Sequence, residues 1–149
     1  RVTTIVEMLD GLKLPMKRIF VKPGGTGALD YDSVDVVLDT FPFSGAVEAA
    51  EALLHGVPVV TLCGETHTAR RSASVLAAAG QMQWIAADAR AYERISCALA
   101  EDVAALRTRR AALRDAVLAS PLTDLAAYTA SVAEALDSYW DVHGAKVNQ

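Results

Sequence analysis

Residues 35–62 read DVVLDTFPFSGAVEAAEALLHGVPVVTL and decide the fold. An apolar run of strand length, Val36 to Leu38, leads into a loop that ends at Ser44-Gly45. A helix is predicted from Ala46 to His55, and a second β-branched run, Val57 to Leu62, closes a βαβ unit. Such units place ligand-binding groups at the carboxyl ends of parallel strands. We therefore expect the functional site in the loop that follows the first strand.

Length and composition predict a single compact domain. The chain has 149 residues, of which 52% are hydrophobic. Its formal charge is -4 and no segment concentrates Lys and Arg, so nucleic acid is not expected as a partner. No window reaches the roughly 18 uninterrupted apolar residues of a membrane span, which favours a cytoplasmic protein without a membrane partner. Cys63 and Cys97 lack metal-site spacing and are expected to be buried, reduced thiols.

The flanking sequence extends the unit into an α/β domain. The predicted elements are a helix over 2–14, a strand over 18–21, a helix over 66–79 capped by Thr66, an edge strand over 84–86 and covering helices from residue 88 onward. A final helix follows Ser120-Pro121 and carries aromatic residues, which predicts that it docks on another surface. Because the chain begins on a helix with no strand before it, we expect it to be a piece of a longer protein.

The loop after Asp39 has the features of a diphosphate site. Where a strand ends and a helix begins, free backbone amides and the positive end of the helix dipole point to one place. Ser44, Gly45, Ala46 and Val47 occupy that place. Glycine lets a ligand approach the backbone closely because it has no Cβ.

Three side chains of the predicted helix share one stripe, namely Glu48, Glu51 and His55. Glu51 is the candidate to accept the hydroxyl protons of a ribose, although a solvated surface position is favoured when the residue is considered alone. For Glu48, complementing the helix dipole is favoured over ligand contact. For His55, which ends the helix, a dipole partner is favoured over a catalyst.

Lys22 and Arg70 are the candidates for offsetting phosphate charge. An ordinary surface ion pair explains each of them equally well. No Ser, His and Asp constellation can be assembled from the sequence, and His67 and Arg71 lack a spacing partner. The catalytic residues stay unknown, and no metal site is predicted.

Several motifs together carry a family resemblance. They are Asp35 to Gly45 with Glu51, Gly56 to Thr61, Gly64-Glu65-Thr66, Arg70, Ser74, Ser120-Pro121-Leu122 and Tyr139-Trp140. The set resembles the C-terminal half of the O-GlcNAc transferase and SPINDLY family, whose bacterial members typically read LDTFPYNG, a helix, GVPVVTL and GET. The loop Phe41 to Gly45 is also similar to that of bacterial adhesin N-glucosyltransferases. The resemblance extends from Arg18 to the end of the chain.

The resemblance implies a two-lobed GT-B enzyme that inverts the anomeric carbon without a metal. Residues 1–149 would then form its UDP-sugar-binding lobe, a three-layer Rossmann-like domain with a parallel sheet and C-terminal covering helices. The implied donor is UDP-GlcNAc or UDP-glucose, with no separate cofactor. The implied partners are a protein acceptor and an N-terminal GT-B lobe, with or without helical repeats, in the full-length chain.

The resemblance also assigns residues. It places Gly45 at the loop glycine, Ala46, Val47 and Glu48 at the family's His-Thr-Thr, and Glu51 at its ribose-binding Asp. Only backbone amides and the helix dipole then remain at the phosphates. The loop from Lys22 to Tyr31 is shorter than the family's uracil-contacting segment, to which Pro23 to Gly27 correspond here. The family's active-site lysine belongs upstream of Arg1.

The favoured function is donor binding within a protein glycosyltransferase that transfers GlcNAc or glucose to Ser, Thr or Asn side chains. On this interpretation the piece binds the donor but does not catalyse by itself. A degenerate, non-catalytic lobe kept for protein interaction is the alternative, which Ala46 and Val47 favour. A GT-B lobe for a different donor or a small-molecule acceptor is a third hypothesis.

Overall fold

The computed structural model describes residues 16–20 and 30–144. The predicted helix over 2–14, the candidate Lys22 and the loop Pro23 to Gly27 lie outside the described residues. The strands are β1 (Val37–Leu38), β2 (Val59–Leu62) and β3 (Ile85–Ala86), and the helices are α1 (Ala46–Leu54), α2 (His67–Ala78), α3 (Ala89–Glu101), α4 (Val103–Leu118) and α5 (Leu125–His143).

The three strands form a parallel sheet in the order β1-β2-β3. Val37 pairs with Val59, and Thr61 pairs with Ile85. Val59, Val60 and Thr61 are all 0% exposed, although successive strand residues point to opposite faces. Both faces of β2 are therefore covered, as in a three-layer α/β domain. The fold class predicted from the sequence is confirmed.

The helices pack around this sheet in a way that the local sequence explains. The connections from β1 through α1 to β2 and from β2 through α2 to β3 cross the sheet in the same direction. Because such connections are right-handed, α1 and α2 lie on the same face of the sheet, where they contact each other. Helix α3 packs against β2 and β3. The core contains apolar residues from α1, β2, α2 and α4, among them Leu53, Val59, Leu76 and Val117.

Helix α4 also holds the segment that precedes β1. The Arg110 guanidinium donates to the Tyr31 carbonyl at 2.7 Å and to the carbonyls of Asp32 and Val34. One turn earlier, Arg107 forms an ion pair with Asp35 at 2.7 Å, and this bond holds the pKa of the Asp35 carboxyl below its usual range. Two arginines of α4 thus fix the position of the chain before it enters the sheet.

Two sequence-based expectations are wrong for described residues. The strand predicted over 18–21 is absent from its described part: Met16–Arg18 is a 3-10 turn, and Phe20 is 87% exposed instead of buried. The cysteines are free, as expected, but Cys63 is only half-buried and Cys97 is exposed. The strand prediction failed because a short apolar run does not by itself distinguish a buried strand from an exposed turn. Cys97 is exposed because it lies on the side of α3 that faces away from the sheet.

The final helix is present but does not dock on the described part of the chain. Asp124 caps it, with its Oδ1 accepting from the Ala127 amide at 2.9 Å. No residue of α5 over its range Leu125–His143 is buried. Its apolar residues Leu125, Tyr128, Val132, Leu136, Tyr139 and Val142 follow one another at three- and four-residue steps, and all are exposed. We call these six residues the α5 stripe.

Candidate functional site

The loop after β1 is held by the side chain of Asp39. Its Oδ1 accepts a hydrogen bond from the Gly45 amide at 2.9 Å, and its Oδ2 accepts one from the Thr61 hydroxyl at 2.7 Å. The Asp39 carbonyl accepts a third bond from the Tyr92 hydroxyl at 2.9 Å. Because Thr61 lies on β2 and Tyr92 on α3, one residue ties the loop to the neighbouring strand and to a covering helix.

The loop delivers the chain to the N-terminus of α1, where Gly45 is the N-cap residue and offers no side-chain cap. The other four helices of the described residues are capped by Thr66, Asp88, Asp102 and Asp124. The amides of Ala46, Val47 and Glu48 have no acceptor within α1, because the first three amides of a helix never do. Together with the helix dipole, these amides favour an anion at this point.

A cleft of about 530 Å³ opens at this helix end. It is lined by Val37, Leu38, Asp39, Thr40, Phe43, Gly45, Ala46, Val47, Glu48 and Arg71. Four of the residues predicted for the site, Gly45 to Glu48, therefore lie together in one cleft. Val47 is 67% exposed and presents a methyl surface to it, so the polar groups on this side of the cleft are backbone amides and the Glu48 carboxylate.

Ser44 and Arg70, also predicted for the site, lie apart from this cleft. Ser44 is 1% exposed, and its hydroxyl donates to the Thr68 carbonyl at 2.8 Å and accepts from the Ser72 amide. Its side chain therefore joins the loop to α2. Arg70 is exposed on α2, and Lys22 lies outside the described residues.

Arg71 takes the place at the cleft that the sequence suggested for Arg70. Its Nη2 donates to the Ser44 carbonyl at 2.5 Å, and its guanidinium lies 4.7 Å from the centre of the Phe43 ring. The arginine thus packs against the loop while lining the cleft. A cation in this position partly offsets negative charge in the cleft.

The Glu48 carboxylate turns back toward the start of α1. Its Oε2 lies 2.8 Å from the position that a Cβ on Gly45 would take. This placement agrees with the interpretation of Glu48 as a charge that complements the helix dipole. The Gly45 amide, which a capping box would use, is already bound to Asp39. An anion at this helix end must therefore share the space with Glu48.

Glu51 lies one turn further along α1, beside a buried tyrosine, and is not among the residues that line the cleft. Its Oε2 accepts a hydrogen bond from the Tyr31 hydroxyl at 3.2 Å. Burial, the bond to Glu51 and the charges of Glu51 and Glu48 raise the pKa of Tyr31 to about 12, so this phenol is neutral and a donor at physiological pH. His55, the C-cap residue of α1, stacks on the Tyr31 ring at 5.0 Å.

Two negative findings apply to residues 16–20 and 30–144. Among them, no group of three or more His, Cys, Asp or Glu residues is arranged to hold a metal ion. Nor do they include a helix with the length and apolar character needed to cross a membrane.

Comparison with known proteins identifies the family. The sequence pattern that defines glycosyltransferase family 41 matches residues 28–132, from just before the Tyr31 turn into α5. The chain belongs to glycosyltransferase family 41. The family membership expected from the sequence motifs is confirmed.

Individual family 41 relatives match the same region. A probable SPINDLY UDP-N-acetylglucosamine–peptide N-acetylglucosaminyltransferase of Hordeum vulgare is 34% identical over 110 residues, and that of Petunia hybrida has the same identity. The alignment covers 74% of this chain and 12% of each relative. A mutant O-GlcNAc transferase of Thermobaculum terrenum superimposes with a TM-score of 0.81 at 30% identity, covering 93% of this chain and 27% of that one. The chain thus corresponds to a small part of each relative and has the fold of a GT-B lobe.

The sequence did not indicate several residues of this candidate site. The motifs that carry the resemblance include Asp39 and Thr61 but give neither of them a role, and Tyr92 belongs to none of the motifs. Tyr31 lies in a 3-10 turn with no periodic pattern around it. The available signal was an acidic residue directly after an apolar strand, because short carboxylate side chains readily accept hydrogen bonds from loop amides near them.

Proposed function

We propose that this chain is the donor-binding lobe of a protein glycosyltransferase that transfers GlcNAc or glucose from a UDP-sugar to Ser, Thr or Asn side chains. The observation that carries the proposal is the start of α1. There a side-chain cap is missing, three amides lack helical acceptors, and a cleft opens beside them. The names of the SPINDLY and O-GlcNAc transferase relatives support a UDP-sugar as the ligand.

The chemistry of the cleft suits a diphosphate that is held mainly by the backbone. The amides of Ala46, Val47 and Glu48 would donate to phosphate oxygens, and the α1 dipole would stabilise their charge. Arg71 adds a guanidinium to the lining of the cleft, next to the loop that precedes α1. Helix amides and this cation would stabilise a UDP leaving group as the sugar is transferred with inversion, which is the reason for proposing a reaction without a metal.

Glu51 is the proposed ligand of the ribose diol. Replacing Glu51 with glutamine should weaken UDP binding by about 1.5–3 kcal/mol, roughly tenfold or more, because a charged acceptor is lost. Isothermal titration calorimetry of the 149-residue chain would measure the change. The control is Glu134→Gln on α5, an exposed glutamate far along the chain, which should leave the affinity unchanged. Equal affinity of wild type and Glu51→Gln would remove Glu51 from the site.

The α5 stripe supports a partner within the full-length protein. A row of exposed apolar residues along nearly the whole of a 19-residue helix is uncommon on the surface of a monomeric protein. We assign it to contact with an N-terminal GT-B lobe, which would also supply the acceptor side and the active-site lysine. The lobe alone would then bind the donor without catalysing transfer. Its free cysteines suit a reducing, cytoplasmic location.

A second function has its own support. Ala46 and Val47 offer no polar side chain to a phosphate, and the α5 stripe offers an apolar surface to a protein. The lobe would then be a degenerate, non-catalytic interaction module. Titration with UDP separates the two: a dissociation constant between about 1 μM and 1 mM supports the donor-binding function. Absence of heat at millimolar UDP supports the interaction module.

A further inference from the structure

Tyr31 is held in place from three directions. Its ring is 4% exposed and belongs to the core. His55 stacks against it with an interplanar angle of 21°, and Arg110 binds its backbone carbonyl. A side chain fixed by packing, stacking and a backbone anchor has little freedom to move its hydroxyl. The hydroxyl therefore marks a fixed point beside α1.

From this fixed position, the Tyr31 hydroxyl donates a hydrogen bond to the Glu51 carboxylate. The phenol oxygen lies 3.2 Å from Glu51 Oε2 and 3.3 Å from the Glu48 carbonyl. The single phenol proton is shared between these two acceptors, of which the carboxylate is the charged and stronger one. A free glutamate on a helix surface samples several rotamers, whereas this one has one oxygen restrained.

We infer that Tyr31 is a positioning residue, which fixes one oxygen of Glu51 so that the other is presented to the ribose hydroxyls of the donor. The inference rests on the proposed donor-binding function and adds a determinant of ribose recognition to it. Tyr31 acts through Glu51 and does not touch the nucleotide. Its contribution is preorganisation: the acceptor is already ordered before the nucleotide arrives.

A structural role alone would give a different result from a positioning role. A tyrosine that merely fills the core would, when changed to phenylalanine, weaken every nucleotide to the same extent. A positioning tyrosine affects only the ribose hydroxyls. The informative quantity is therefore the ratio of the affinities for UDP and for 2′,3′-dideoxy-UDP, which differ only in those hydroxyls.

The experiment measures both affinities by calorimetry for the wild-type chain and for Tyr31→Phe. We expect the wild-type chain to bind UDP about tenfold more tightly than 2′,3′-dideoxy-UDP, and Tyr31→Phe to bind it only about twofold more tightly. The two proteins should bind the dideoxy nucleotide with the same affinity. Ser138→Ala, which removes an exposed hydroxyl on α5 outside the α5 stripe, should keep the wild-type ratio. In a Glu51→Gln background, Tyr31→Phe should produce no further loss of preference, because the two residues act as one unit.

An unchanged preference for UDP in Tyr31→Phe would overturn the inference while leaving the proposed function intact. An equal loss of affinity for both nucleotides would do the same, since it describes a core residue. A wild-type chain that binds neither nucleotide would overturn the donor-binding function and this inference with it.

Discussion

Replacing Gly56 with alanine should lower the free energy of unfolding by about 2–5 kcal/mol. Gly56 ends α1 with a φ of +71°, a conformation that is strained for an alanine. Its added Cβ would also lie 2.3 Å from the Arg110 carbonyl oxygen, which belongs to the backbone of α4. Since a helix backbone cannot rotate away as a side chain can, α4 has to shift. Urea unfolding followed by circular dichroism would measure the loss.

Gly80 provides the matched control for this substitution. It ends α2 with a φ of +72°, and a Cβ there meets nothing within 4 Å. Gly80→Ala should therefore lower the free energy of unfolding only by the cost of placing alanine at a positive φ, about 1–2 kcal/mol. Equal destabilisation of the two variants would show that close packing against α4 contributes nothing at Gly56.

Replacing Asp39 with alanine is expected to have the second-largest effect, a loss of about 2–4 kcal/mol in unfolding free energy. The carboxylate is the acceptor for both the Gly45 amide and the Thr61 hydroxyl, and Thr61 is 0% exposed. Alanine leaves a buried hydroxyl and a loop amide without their acceptor. Asp39→Asn should be milder, because the amide oxygen can serve Gly45 while the Thr61 hydroxyl rotates to accept from the amide nitrogen.

Asp35 is the control for Asp39, since it lies just before β1 and Asp39 lies just after it. Its carboxylate pairs with Arg107 at the surface, and exposed ion pairs contribute little to stability. Asp35→Ala should therefore unfold at nearly the wild-type urea concentration. If Asp35→Ala and Asp39→Ala unfolded alike, the loop-anchoring role of Asp39 would be contradicted. Because Asp39 holds the amides at the start of α1, Asp39→Ala should also weaken UDP binding.

The parts of the fold that follow local rules were predictable from the sequence. The βαβ unit was visible because β-branched runs flank a helical pattern. Thr66 as a cap and Gly80 as a stop follow from the preferences of helix ends, and both have these positions in the structure. These signals lie within a few residues of the feature that they predict.

The parts of the site that depend on long-range contacts were not predictable. Tyr31 meets Glu51 across 20 positions of the chain and Tyr92 meets Asp39 across 53. Neither pair has a sequence pattern of its own. Choosing correctly between Arg70 and Arg71 required the rotational orientation of α2 about its axis, which hydrophobic spacing does not define to within one residue.

The bond between Arg110 and the Tyr31 carbonyl joins positions 79 residues apart. During synthesis, the βαβ unit is complete once the ribosome has passed β2, but Tyr31 is not anchored until α4 has emerged. The segments that form β1, α1 and β2 are therefore synthesised well before the helix that anchors Tyr31. Under the proposed function, the restrained ribose acceptor would therefore be completed only by α4, a helix that does not line the candidate cleft.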